Sequence, residues 1–288
     1  VTTSLTVDSH VHLWNADHTP QPWMTEEHAP INRPFGPPDI LPLLARHGID
    51  RVILVQGACL DSDTDYLFDV AERSEWVGAV TAWVCLDDPQ RAATRLAALS
   101  SRAKFRAVRH LTHNEPDHWI LQSRVLESLA LLEQADLILE LPVVWPRHFD
   151  DVVTLAALFP RLRIVIDHLG KPPLGTAEMA RWQEALRAAA ACPNTFAKVS
   201  GLNTATTKKD WTISDLRPAV EAALACFGPA RLLCGSDWPY SLMNGDFDRV
   251  WGLTSQALID ADSGARDEVL GGTASRLYRF ENPPPEAS

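Results

Sequence analysis

Basic residues are the first thing in short supply. The chain holds 26 Lys and Arg against 37 Asp and Glu, a formal net charge of −11 over 288 residues. Recognition of a phosphate backbone needs the opposite balance, so nucleic acid is excluded as a partner. Long apolar runs are missing too. None approaches the roughly 20 residues that span a bilayer, which excludes a membrane-spanning helix. The opening VTTSLTVDSHVH has neither a basic start nor a long apolar stretch, so no signal peptide is expected there. Cysteine is sparse: there are five, an odd number with no CxxC spacing, the pattern of reduced core thiols in a cytoplasmic protein. Tyrosine is scarce at three, whereas tryptophan reaches ten. That excess suits either a heavy core or a pocket that stacks on flat apolar faces.

What is present is a regular alternation. Eight short runs rich in Val, Ile and Leu recur along the chain: 5–13, 51–57, 77–84, 105–111, 137–144, 163–169, 195–201 and 231–237. Each is nearly continuous in apolar residues, which is how strands covered on both faces read. Between them lie segments with helical spacing, at 39–47, around Leu67, Val70 and Ala71, and at 89–99, 125–132, 152–159, 179–190, 216–227 and 250–259. Length alone permits one large domain or two medium ones. Eight β/α units of about 36 residues instead predict one distorted (β/α)8 barrel of the TIM type, over an open doubly wound sheet. The barrel is expected over 1–282. A proline-rich segment at 18–38, with Pro20, Pro22, Pro30, Pro34, Pro37 and Pro38, is a candidate lid after the first strand. The polar end at 283–288 is expected to be a disordered tail.

In such a barrel, chemistry gathers at the C-terminal ends of the strands. The first strand ends Asp8-Ser9-His10-Val11-His12, and residues two apart on a strand share a face, so the two imidazoles project together. The fourth ends in Arg109-His110, where a guanidinium could hold a substrate oxygen in a forked hydrogen bond. The fifth carries Glu140 in an apolar run, costly unless paired or used. The sixth ends in His168 with Lys171 close behind, and the eighth in Asp237. An ordinary ion pair or a buried structural acceptor is the plain alternative for each one alone. Their convergence on one mouth favours a site.

Together these stretches resemble the amidohydrolase superfamily, and within it the amidohydrolase-2 branch of sugar lactonases. The matching residues are Asp8-Ser9-His10-Val11-His12-Leu13-Trp14, Phe105 to His110, Asp167-His168-Leu169-Gly170-Lys171-Pro172, Lys198 to Leu202, Gly235-Ser236-Asp237-Trp238-Pro239 and Ala274 to Tyr278. The resemblance implies a hydrolase of carboxylic esters that opens a small ring lactone, an aldonolactone first. A pyrone- or muconolactone-type lactone, or metal-dependent decarboxylation, is the alternative within the branch. The two-metal members use a lysine at the fourth strand and a histidine at the fifth, and this chain has neither. What remains is a single divalent, zinc-like ion on His10, His12 and Asp237, with Glu140 as a further ligand, or metal-free operation.

On this reading Asp237 is the general base, taking a proton from water and returning it to the ring oxygen. His10, His12 and His168 are the catalytic partners that steady the oxyanion if no metal does. Arg109, Lys171 and His110 are expected to orient substrate oxygens. Trp14 and Trp238 are expected as walls of the substrate pocket, and Trp83 as core. A metal-dependent phosphoesterase and a catalytically dead sugar-binding barrel are the rivals from other classes. Nothing in the sequence sets an oligomeric state.

Overall fold

The computed structural model describes residues 5–15, 19–258 and 263–280. Residue 18 of the expected lid segment, Ile259 at the end of the expected eighth helix and the expected tail at 283–288 lie outside them. Eight parallel strands pair in chain order. They are β1 (Val7–Val11), β2 (Arg51–Val55), β3 (Val77–Ala82), β4 (Phe105–Arg109), β5 (Ile138–Leu141), β6 (Arg163–Ile166), β7 (Thr195–Val199) and β8 (Leu232–Cys234). Helices α1 (Pro37–His47), α2 (Asp61–Ala71), α3 (Pro89–Leu99), α4 (Ser123–Gln134), α5 (Phe149–Leu158), α6 (Met179–Ala190), α7 (Ile213–Phe227) and α8 (Phe247–Ala257) follow the successive strands. The fold is a single, nearly closed (β/α)8 barrel, as the alternation predicts.

Ladder pairing between β1 and β8 gives way to two backbone hydrogen bonds and the single bridge they form at the seam. The Asp237 amide donates to the His10 carbonyl (2.9 Å), the His12 amide to the Trp238 carbonyl (2.7 Å), and Val11 bridges Trp238. Gly235 permits that approach: a Cβ there would lie 2.9 Å from the His10 Cβ. The Asp8 carboxylate adds a tie, accepting from the Ser236 amide at 2.8 Å.

The two faces of each strand do different work. Val52 and Leu54 pack outward against helices, while Ile53 and Val55 point into the barrel. By the same alternation Val7, Ala79, Ala107, Ile138, Val165 and Leu233 fill the lower interior. The short helices α9 (Ser263–Asp267) and α10 (Thr273–Leu277), joined by a π-type turn at Glu268–Gly272, cross beneath the barrel. Ala274, Leu277 and Tyr278 plug its floor. The next inward positions, one step nearer the mouth, are Thr81, Arg109, Glu140 and Lys198. They form a buried polar layer, and the site is built on it.

Candidate active site

The sixth and eighth strands are shorter than their apolar runs because the residues after each ladder turn in toward the barrel axis. His168, Leu169 and Lys171 take left-handed backbone at φ 54°, 51° and 53°, and Asp237 does so at 60°. Non-glycine residues rarely adopt this conformation, and a cluster of them at one mouth marks a functional constraint. Gly201 lies at the centre of the turn opposite. A Cβ there would fall 2.6 Å from Asp237 Oδ2 and 2.8 Å from His168 Nδ1, so only glycine allows both side chains their places.

The result is a cluster around Asp237 Oδ1. His12 Nε2 lies at 3.6 Å, and His10 Nε2 and His168 Nε2 each at 3.8 Å. The other ring nitrogens are anchored. His12 Nδ1 meets the Val55 carbonyl at 2.8 Å, and His168 Nδ1 meets the Ser200 hydroxyl at 2.9 Å. A carbonyl only accepts, so His12 carries its proton on Nδ1 and turns a bare Nε2 inward. Burial holds His10 and His168 well below the ordinary histidine pKa, with Lys198 adding to the effect at His10. Burial opposes ionisation of Asp237, but the charge around it, Lys171 included, outweighs burial and leaves its pKa below the ordinary value. Neutral imidazoles around an ionised carboxylate are the charge states a divalent ion requires.

The fit to such an ion can be judged from the atoms themselves. His10 Nε2 and His12 Nε2 face each other at 3.2 Å, and Asp237 Oδ2 is buried without a hydrogen-bond partner among the described residues. Imidazole nitrogens with a carboxylate oxygen form an N/O donor set suited to zinc. His10, His168 and Asp237 each offer an atom within 4.8 Å of the others.

Beneath this cluster lies the second polar tier. Arg109 Nε donates to Asp167 Oδ2 at 2.7 Å and its Nη1 to the Gln56 carbonyl at 3.2 Å. Lys198, wholly buried, pairs with Glu140 and stands 3.2 Å from His10 Nδ1 and 3.5 Å from Asp167 Oδ1. Burial opposes the Asp167 carboxylate, yet Lys198, His10 and Arg109 hold its pKa well below the usual range. Glu140 also accepts from Thr81 (2.5 Å) and Tyr278 (2.6 Å). Its carboxylate is thus engaged by three donors, one tier below the imidazoles. The sequence singles out Glu140 but not its partner Lys198, because the two belong to strands that are not neighbours. The signal was a charge of each sign inside an apolar strand.

Above the cluster opens a cavity of about 320 Å³. His12, Arg109, His168, Lys171 and Asp237 line it, with Trp14 as an apolar wall. Trp238 lies elsewhere. Asp237 turns inward, its successor therefore turns outward, and Trp238 packs edge-on to Phe35 with ring centroids 5.2 Å apart. His110 is also set back from the cavity, stacked on Trp119 at 4.3 Å, with its Nε2 on Glu115 at 3.0 Å. Trp83 is buried beside it, its indole nitrogen donating to His110 Nδ1 at 3.2 Å.

The proline-rich segment crosses the mouth. Phe35 and Trp14 exchange two backbone hydrogen bonds of 2.8 and 3.0 Å, and Trp14 Nε1 donates to the Arg33 carbonyl at 2.9 Å. Trp23 Nε1 reaches the Gly57 carbonyl at 2.7 Å. Trp23, His28 and, from the far side, Tyr240 enter the cavity wall, none of them anticipated from the sequence as site residues.

Histidines and an aspartate gathered at the strand ends of a (β/α)8 barrel define a hydrolase type of site. Residues 7–280 match the amidohydrolase-2 family, described as Amidohydrolase, and the chain belongs to it. It is 36% identical to an L-fucono-1,5-lactonase of Burkholderia ambifaria, over 96% of both chains. It is 32% identical to an L-fucono-1,5-lactonase of Burkholderia multivorans, over 97% of this chain and 98% of that one. Its fold superposes on the crystal structure of a Burkholderia multivorans amidohydrolase with bound zinc, with a TM-score of 0.89 and 30% identity, covering 96% of this chain and all of that one.

Proposed function

We propose that this protein hydrolyses a sugar 1,5-lactone, with Asp237 as general base. The observation that carries the proposal is the Asp237 carboxylate, set among three imidazole nitrogens at 3.6–3.8 Å on the floor of the cavity. The names of the lactonases it resembles support the same substrate class.

The chemistry follows from the placement. A water above Asp237 attacks the lactone carbonyl carbon. As the new C–O bond forms, its proton passes to the carboxylate. In this reading the Ser200 hydroxyl, 2.9 Å from His168 Nδ1, donates to it, which puts the ring proton on Nε2, where it can donate to the oxyanion of the tetrahedral intermediate. When the bond to the ring oxygen breaks, Asp237 returns the proton to that oxygen and the open hydroxy acid leaves. Arg109 and Lys171 line the cavity and orient the ring substituents, although Lys171 already gives one hydrogen bond to Thr204 at 2.9 Å. Trp14 offers a flat apolar face to the sugar ring. His10, His12 and Asp237 would hold a divalent ion, which when bound supplies Lewis acidity to the carbonyl.

A pH-indicator assay on L-fucono-1,5-lactone and related aldonolactones tests this reading, since each turnover releases one proton. Asp237→Asn is expected to lower kcat by about 10²–10⁴-fold with the fold intact by circular dichroism. An unchanged rate in that variant, or a wild type that opens no lactone and instead releases carbon dioxide from aromatic carboxylates, overturns it.

A further inference from the structure

The strand ends account for the reacting carbonyl, but the cavity has a second wall, and it comes from the proline-rich segment. Within that wall His28 is unusually well defined. The Thr25 backbone amide donates to His28 Nδ1 at 3.2 Å, and the Thr25 hydroxyl lies 3.1 Å from the same nitrogen. A backbone N–H has no other role than donor, so Nδ1 is an acceptor and the neutral ring carries its proton on Nε2. The ring itself is held between aromatics. Trp23 meets it edge-on with centroids 5.2 Å apart, and Tyr240 lies 6.4 Å away. Trp23 is fixed in turn by its bond to the Gly57 carbonyl. The half-buried His28 lines the cavity, and among the described residues its Nε2 has no hydrogen-bond partner.

The two charged donors on the cavity wall are already partly engaged. Arg109 spends Nε on Asp167 and Nη1 on Gln56, and Lys171 is engaged with Thr204. We infer that His28 is a specificity-determining residue whose Nε2–H donates to a ring hydroxyl on the side of the substrate away from the strand ends. The site then selects polyhydroxylated ring lactones over bare ones. This inference rests on the lactonase reading above. It assigns a positioning role and no proton transfer, because the base and the oxyanion donors stand on the strand ends. A donor that a hydroxylated ring engages and a bare ring does not discriminates through binding, so its effect belongs in KM.

The test compares L-fucono-1,5-lactone with unsubstituted δ-valerolactone in wild type, His28→Phe and His28→Gln. Phenylalanine keeps the ring between Trp23 and Tyr240 but removes both nitrogens, whereas glutamine restores an amide donor. For His28→Phe we expect KM for the sugar lactone to rise about three- to tenfold, as loss of one neutral hydrogen bond implies. Its kcat should stay within about twofold, and KM for δ-valerolactone should not move. His28→Gln should recover part of the KM loss. Equal losses on both lactones, a loss confined to kcat, or no loss on either would overturn the inference while leaving the lactonase reading standing. A wild type inert to both lactones fails at the first measurement and removes that reading, and this inference with it.

Discussion

Lys198 shows what one residue can hold together. Its ammonium serves Glu140, Asp167 and His10 in a wholly buried space. Lys198→Met alone would strand two carboxylates away from water, and the expected loss is about 3–5 kcal/mol in urea unfolding. Removing the charge of Glu140 as well, in Lys198→Met/Glu140→Gln, should recover a substantial part. Strict additivity of the two single losses would show that the pair is uncoupled. Asp63 gives a prediction of different sign. Its carboxylate accepts from the Gly57 amide and from Gln21, each at 3.0 Å, but burial pushes its pKa from 3.8 up to about 6. The folded state therefore binds more protons than the unfolded one between these two values. Stability is present below about pH 4 and falls by about 3 kcal/mol as pH rises to about 6, after which this contribution is flat. Asp63→Asn should flatten that part of a plot of unfolding free energy against pH, and an unaltered slope would refute the assignment. At this scale the sequence showed the histidine pair plainly, because period-two spacing needs no knowledge of the fold. It concealed Lys198, whose partners become neighbours only when the barrel closes, and it misplaced Trp238. The turn at Asp237 alternates facing in a way that a strand-end motif does not reveal.

At the scale of elements, the apolar runs marked all eight strands but overestimated their lengths. The run at 231–237 yields a ladder of only Leu232–Cys234, and that at 163–169 stops at Ile166. The residues lost from these two ladders include Asp237 and His168. Apolarity records burial, and burial continues after the backbone has turned left-handed to aim a histidine or an aspartate. Helix limits moved the other way. The first begins at Pro37 instead of 39, since a proline at the first turn costs no hydrogen bond. Two glycines test how rigid these turns are. Gly201→Ala places a Cβ into Asp237 and His168 at a φ of +57°, and activity should drop about 100-fold with a stability loss of about 1–2 kcal/mol. Gly252, within α8, meets nothing within 4 Å, so Gly252→Ala should raise stability by about 0.5–1 kcal/mol with activity unchanged. Thermal melts paired with lactone assays read both, and a fully active Gly201→Ala would show that the turn can yield.

For the molecule as a whole, the fold class was the most legible property, because eight regular repeats leave few architectures to choose from. What covers the barrel was less so. A run of prolines announces stiffness, but only the pairing of Phe35 with Trp14 shows where the segment is fastened. Among the described residues no helix is long and apolar enough to cross a membrane. The donor cluster at the mouth makes a global prediction. Protein purified with zinc should carry about one ion per chain by elemental analysis, and chelation should lower the melting temperature by about 5–8 °C if the ion was present at 100–1,000 times its Kd. Absence of bound metal together with an unmoved melting curve would leave the imidazoles to act alone.

The seam between β1 and β8 has one more consequence. The site is stitched from residues near the two extremes of the sequence, with Ser236 bound to Asp8 across 228 positions and Asp237 bound to His10. During synthesis, therefore, no emerging segment can assemble a working mouth until β8 has left the ribosome. Seven of the eight units wait as an open sheet with an unpaired edge at each side. Chaperone dependence, and sensitivity to pauses in translation late in the message, should concentrate in that interval.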